Sequence, residues 1–183
     1  MINVWQQPKT AVIRGKEYQI NTDYRDVLEI IGYLNDFEKP ELIRWQIAMQ
    51  LFYDGDIPAE CQQEAAEYLA HFISYGGKNN KPGPKLMDWE QDAQLIISDV
   101  NKVAGMEVRS LQYLHWWTFL SYFYGIGEGQ LSTIVSIRKK KRTGKKLEKW
   151  EEEYYRANRE QIEFQKKQTP GEKSIQSYFD KWL

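Results

Sequence analysis

Few of the 183 residues are of types that carry out reactions, and their spacing shows what each is for. The two histidines, His71 and His115, lie on apolar, helix-patterned stretches. Neither has a cysteine or carboxylate at metal-ligand spacing, so both are expected to be structural. Cys61 is the only cysteine. No base marks it as a nucleophile, and a buried thiol suits its place on a helix stripe. It has no disulfide partner, which makes a reducing cytosol the natural setting. Asp88 and Asp92 are four apart and share a helix face, so that with Glu90 or Asp99 they resemble the oxygen ligands of a hard cation. Asp88 also has the place and type of an N-cap, with Gln91 three residues on as a capping-box partner. Capping is the preferred reading, and neither a metal nor a cofactor is expected. Gly125-x-Gly127-x-Gly129 follows an aromatic helix instead of a strand, with Gln130 where a dinucleotide fingerprint needs its third glycine. It reads as an interhelical turn, and the chain as a non-enzyme.

One run of charge offers an alternative. Arg138, Lys139, Lys140, Lys141 and Arg142, extended by Lys145 and Lys146, form the kind of cluster that binds phosphate backbones without sequence preference. Glu148 and Glu151 to Glu153 follow at once and oppose its field, and cations also suit a helix C-terminus. A solvated helix end is therefore preferred over a weak nucleic-acid-binding module.

The elements that carry these residues are mainly helical. A small β-hairpin over 10–21 opens the chain, with Gly15-Lys16 as a type II′ turn that pairs Ile13 with Tyr18 and Ala11 with Ile20. Helical spacing follows: Tyr24, Val27, Leu28, Ile31 and Leu34 behind an N-cap among Asn21, Thr22 and Asp23. A second helix opens at Pro40 and is apolar on two faces (Leu42, Trp45, Met49, Phe52; Ile43, Ile47, Leu51), the pattern of a buried helix. A third carries Cys61, Ala65, Tyr68, Leu69, Phe72 and Ile73. The span 76–87, with Pro82, Gly83 and Pro84, cannot be helical and reads as a hinge or exposed loop.

Asp88 then opens a fourth helix with Trp89, Ala93, Ile96, Ile97, Val100 and Val103. Ser110 opens a fifth whose aromatics surround nearly its whole circumference, either a central core helix or the floor of a groove. A sixth helix carries Leu131, Ile134 and Val135 into the basic run. A seventh has Leu147, Trp150, Tyr154, Ala157 and Phe164 along one side. The fold expected is mainly α: the hairpin, about six or seven helices in one domain over 1–168, and a flexible tail over 169–183. On that tail Ile175, Tyr178, Phe179, Trp182 and Leu183 fall on one helical face, enough for a short amphipathic helix.

Composition narrows the class further. With 42% hydrophobic residues, 28% charged and 26 aromatics, the chain supports a packed core and a polar exterior. No apolar run approaches the roughly 20 residues of a membrane span, and the N-terminus lacks a signal-peptide layout. Net charge is only −1, yet residues 1–75 hold 6 basic and 12 acidic side chains while residues 137–183 hold 14 and 8. A folded monomer whose ends attract each other is the preferred reading of this asymmetry, and head-to-tail self-association or the orientation of a charged partner is the alternative.

The run DWEQDAQLIISDVNKVAGMEVRSLQYLHWWTFLSYFYGIGEGQLSTIVSIRKKKRTGKKLEKWEEEYYRANRE, residues 88–160, resembles the bacteriophage gene-product-fifteen family of phages and prophages of Gram-positive bacteria. Arg14 to Ile30, RGKEYQINTDYRDVLEI, is similar to that family's hairpin and first helix. The resemblance implies a tail-assembly chaperone that binds the tape-measure protein, with tail-tube subunits as possible further partners. Such a protein acts in the host bacterial cytoplasm and is expected to be absent from the mature virion. The alternative is a tail or connector component retained in the particle. The physical requirement is an aromatic surface that accepts amphipathic helices. Trp116, Trp117, Phe119, Tyr122 and Phe123 are the candidates for it, with Ile175, Tyr178, Phe179 and Trp182 of the tail as competitor or extension.

Overall fold

The computed structural model describes residues 5–75 and 84–165. The order is β1 (Thr10–Ile13), β2 (Lys16–Gln19), α1 (Tyr24–Leu34), α2 (Glu41–Phe52), α3 (Gln62–Ile73), α4 (Ala93–Ala104), α5 (Trp116–Tyr124), α6 (Gln130–Arg142), α7 (Lys149–Ala157) and α8 (Arg159–Ile162). The mainly helical class and the N-terminal hairpin are as the sequence predicts. The chain divides into two compact units after Val135, within the span read as one domain. Of the expected hinge, 76–83 lies outside the described residues, as does the whole tail 169–183.

In the first unit, β1 and β2 pair antiparallel, with Ala11 opposite Tyr18 and Ile13 opposite Lys16. The register therefore differs by two from the one expected. The turn residues are Arg14 and Gly15, both at positive φ (47° and 80°), the signature of a type I′ turn. Putting Arg14 at the tip lets its guanidinium pair with Glu64 of α3 at 2.7 Å. A slip of two preserves which face each side chain takes, so Ala11, Ile13 and Tyr18 are still buried.

Past the hairpin, Asp23 serves two elements. One carboxylate oxygen accepts from Arg25 N (2.9 Å) as the N-cap of α1, and the other accepts from Leu114 N (3.0 Å). Trp116 N–H donates to the Thr22 carbonyl at 2.7 Å, and Tyr24 N–H to that of Leu114 at 2.9 Å. The residues before α1 are thus laced to those before α5. α1 packs on α2 and α5, α2 on α3, and α4 on α5. Val27, Ile30, Phe52, Leu69, Phe72, Val100 and Phe119 fill the core, and Tyr24 stacks on Phe119 with ring centroids 4.7 Å apart.

The second unit is built around the end of α6, with α7 and α8. α7 opens on a capping box in which Glu148 N–H donates to Glu151 at 2.8 Å. Of the apolar side read in the sequence, Leu147, Tyr154 and Phe164 are half-buried while Trp150 and Ala157 are exposed, and the buried residue of α7 is Glu151. Its carboxylate is satisfied by that backbone bond and by Lys140, so a charge replaces the apolar seam the spacing suggested.

Candidate functional site

The fifth helix starts at Trp116, not at Ser110, which ends a short 3-10 turn over Val108–Ser110. The cap is His115. Its Nδ1 accepts from Trp117 N at 3.0 Å and its Nε2 lies 3.0 Å from the Pro8 carbonyl. Since a carbonyl only accepts, the ring is neutral with its proton on Nε2. Burial holds its pKa below the ordinary value, partly offset by the Pro8 bond. The two tryptophans that follow complete a clamp. The Trp116 indole N–H donates to the Ile73 carbonyl and that of Trp117 to the Phe72 carbonyl, each at 3.0 Å. Both carbonyls lie in the last turn of α3, and that of Phe72 also accepts from Tyr75 N at 3.2 Å.

This clamp decides the fate of the proposed aromatic surface. Trp116 is 1% exposed, and Trp117 and Phe119 are equally buried. All three belong to the core, which was the other reading of that helix. A buried indole keeps its N–H only if an acceptor is supplied, and α3 supplies both. Tyr122 and Phe123 are half-buried, with the Phe123 ring 5.1 Å from that of Trp89. Ile175, Tyr178, Phe179 and Trp182 lie outside the described residues. An open apolar cleft of about 320 Å³ remains beside the clamp, lined by Ile31, Leu34, Ile73, Trp89, Leu120 and Tyr124, among others.

The acidic residues are structural partners. Asp88 Oδ1 accepts from Glu90 N and Gln91 N at 2.9 and 2.8 Å. Asp88 thus closes the turn before α4 and does not cap the helix, which starts at Ala93 with Asp92 in the N-cap position; the Asp92 carboxylate accepts from Asp88 N at 2.9 Å. Burial would raise the Asp88 pKa, but Lys85 and the two amides hold it below the ordinary value. Asp99, 3% exposed, reaches the start of α6, accepting from Leu131 N at 3.3 Å and from Lys102 at 2.7 Å. Its place on the buried face was not expected; the predicted Val103 is exposed instead. Gly129 is where that carboxylate passes: a Cβ there would come within 2.7 Å of Asp99 Oδ2. Among the described residues no group of three or more His, Cys, Asp or Glu is arranged to hold a metal ion. His71 borders a wider polar cleft of about 650 Å³ between β1 and α3, with Lys9, Thr10, Glu64 and Tyr68.

Most of the basic run is committed within the second unit. Arg138 is buried, donates to the Ile162 and Gln161 carbonyls at 2.7 and 2.9 Å, and lies 4.2 Å from the centre of the Phe164 ring. Lys140 reaches both oxygens of Glu151 at 2.7 Å. Lys140 and the Glu148 amide hold the Glu151 carboxyl below the usual range. Lys141 pairs with Glu163 and sits over the Tyr155 ring. Lys139 and Arg142 are exposed. Lys145 and Lys146 of its extension are exposed as well, so the run divides into Arg138, Lys140 and Lys141 with partners inside the unit and four cations at the surface.

The unexpected surface is on α2. Its core side is narrow, with only Ala48 and Phe52 buried. Leu42 is 67% exposed, and Ile43 is exposed as well. Gln46 and Gln50 continue the outward side, flanked by half-buried Trp45, Ile47, Met49 and Leu51. Just before the helix, Phe37 is 79% exposed. The one basic residue of α2, Arg44, turns away to the Leu34 carbonyl at 2.6 Å.

The profile of a family described as Bacteriophage Gp15 protein matches residues 6–164. The chain belongs to that family. It is thus a bacteriophage protein of the structural or morphogenesis class. No curated protein and no solved structure matches it. No described helix of this Gp15-family chain is long and apolar enough to cross a membrane. His115, Trp116 and Trp117, which lie within the run that resembles the family, are fold determinants here. The two apolar sides read in the α2 sequence are each partly covered, and what faces outward is Gln46 and Gln50 between them, with Leu42 and Ile43 in the first turn.

Proposed function

We propose that this Gp15-family chain is a tail-assembly chaperone, non-enzymatic, that binds the tape-measure protein during tail morphogenesis. The observation that carries the reading is membership of a phage morphogenesis family, with exposed Phe37, Leu42 and Ile43 beside Gln46 and Gln50 as uncharged surface at the start of α2. Contiguous exposed apolar residues rimmed by polar ones mark interaction sites, and a long helical tape measure offers amphipathic helices to cover them. The test is co-expression with the tape-measure protein of the same phage. A soluble complex is expected, and a tape measure equally insoluble with and without this chain overturns the reading. Mass spectrometry of purified virions separates chaperone from structural component: a chaperone is absent, and a retained connector is present in fixed copy number.

A further inference from the structure

Resting on the chaperone reading, we infer that the outer edge of β1 takes an extended segment of the tape-measure protein as a third strand. The backbone supplies the argument. Ile20 N–H donates to the Lys9 carbonyl at 3.2 Å, and the register pairs Ala11 with Tyr18 and Ile13 with Lys16. In an antiparallel ladder the residues between such hydrogen-bonded pairs turn their own N–H and C=O groups outward. On β1 those residues are Thr10 and Val12. The Tyr68 hydroxyl donates to the Thr10 carbonyl at 3.0 Å, so that carbonyl aims into the cleft of about 650 Å³ that Thr10, Val12 and Tyr68 all line. The Val12 N–H and C=O point the same way, and Val12 is 62% exposed. The edge of β2 is used at its base, where Asp54 N–H donates to the Gln19 carbonyl and Asn21 N–H to that of Phe52, leaving only Glu17 beside the turn.

The edge specifies its occupant. A main-chain donor and acceptor on one residue, both aimed into a cleft, are met together by an extended backbone. A helix cannot meet them, because its backbone groups are spent internally. The partner residue opposite Val12 shares its sheet face, where an apolar or β-branched side chain pairs best with the exposed isopropyl group. A second copy does not fit. It would bring its own α3, which stands against its β1 in the same way, into the space that one strand needs. A partner that is not yet folded offers such extended segments.

The test uses the full chain and the tape-measure protein of the same phage, with hydrogen exchange resolved to single amides. In the free chain the Val12 amide should exchange fast and that of Ala11, inside the ladder, slowly. In the complex the Val12 amide should slow by about tenfold or more. Val12→Pro removes the outward N–H and suits an edge strand, so the thermal midpoint should hold while binding weakens by about fivefold or more. Should that variant not fold, the exchange of the wild-type chain decides alone. A soluble complex in which Val12 exchanges as it does in the free chain overturns the edge and leaves the chaperone reading intact. A wild-type chain that leaves the tape measure insoluble overturns both. Protection of Val12 already present in the free chain also overturns the assignment: if it grows with chain concentration the edge belongs to a second copy, and if it does not, to another segment of the same chain.

Discussion

The three glycines between α5 and α6 look equivalent in sequence and should respond differently to a methyl group. At Gly129 an added Cβ meets Asp99 Oδ2 at 2.7 Å, with Cγ and Oδ1 at 3.0 Å. Ordinary contact begins near 3.4 Å, so the carboxylate must retreat by about 0.7 Å. Asp99 is buried and held by Lys102, so it moves only by releasing Leu131 N. Losing that cap costs about 1 kcal/mol, and overpacking adds about 1–3 kcal/mol. Restricting the unfolded chain returns about 0.4–1 kcal/mol, leaving Gly129→Ala destabilised by roughly 1–3 kcal/mol. At Gly127 nothing lies within 4 Å and φ is not positive, so Gly127→Ala keeps the unfolded-state gain and is stabilised by roughly 0.4–1 kcal/mol. Gly125→Ala should fall between, because its closest contact at 3.0 Å is the tip of exposed Val103. Urea unfolding followed by tryptophan fluorescence resolves differences of this size. At about 2–4 °C per kcal/mol, Gly129→Ala should melt several degrees below Gly127→Ala. Adding Asp99→Ala should make the Gly129→Ala penalty shrink. Gly129→Ala as stable as wild type, or Gly127→Ala losing as much as Gly129→Ala, refutes the close-approach account.

Three further outcomes are expected. The folded chain resists protonating His115 while the unfolded chain titrates near 6.5. Its stabilising contribution is therefore full above about pH 6.5 and lost as pH falls through that value toward the lowered folded pKa. The urea midpoint should drop between pH 7.5 and 5.5, and less steeply in His115→Asn; an equal slope in both would exclude His115 as the cause. Trp117→Phe keeps most of the ring but removes the indole donor from the Phe72 carbonyl, which keeps only Tyr75 N–H at 3.2 Å, costing about 1 kcal/mol, and a thermal midpoint within a degree of wild type would refute the clamp. Arg138→Gln should destabilise the second unit by about 2–3 kcal/mol through its two carbonyl bonds. Lys139→Gln/Arg142→Gln should leave stability within about 0.5 kcal/mol, and equal effects from both substitutions would refute the division of the basic run.

Periodicity revealed the elements that bury one stripe. Tyr24, Val27 and Ile31 in α1 and Cys61, Ala65, Leu69 and Phe72 in α3 are buried where spacing places them. Hairpin parity was legible and its register was not, because a slip of two leaves every side chain on the same face. The start of α5 was hidden for a different reason. Ser110 has the better cap propensity, but His115 wins by bonding Trp117 N and Pro8 together, a tertiary advantage that no local pattern records. Asp99 and Glu151 escaped notice because buried carboxylates depend on partners 32 and 11 residues away. The α2 face was misjudged in an informative way. The spacing described a buried helix, but only Ala48 and Phe52 are buried, because Gln46 and Gln50 lie between the two apolar faces and turn that sector to solvent.

The tryptophan clamp also sets an order of events during synthesis. Trp117 is made 45 residues after Phe72, whose carbonyl it covers, a delay of about 2–9 s at ribosomal rates. For that interval the end of α3 has only the backbone N–H groups of Ser74 and Tyr75 on its carbonyls, and Phe72 lacks the indole that stacks on it. Leu114, which ties back to Asp23 across 91 residues, arrives just as late. The emerging first half therefore has its hairpin and helices before it has the residues that lock them. A codon change that slows translation between 73 and 117 lengthens the period in which this half is open to proteases and to premature association, with no effect on the finished protein.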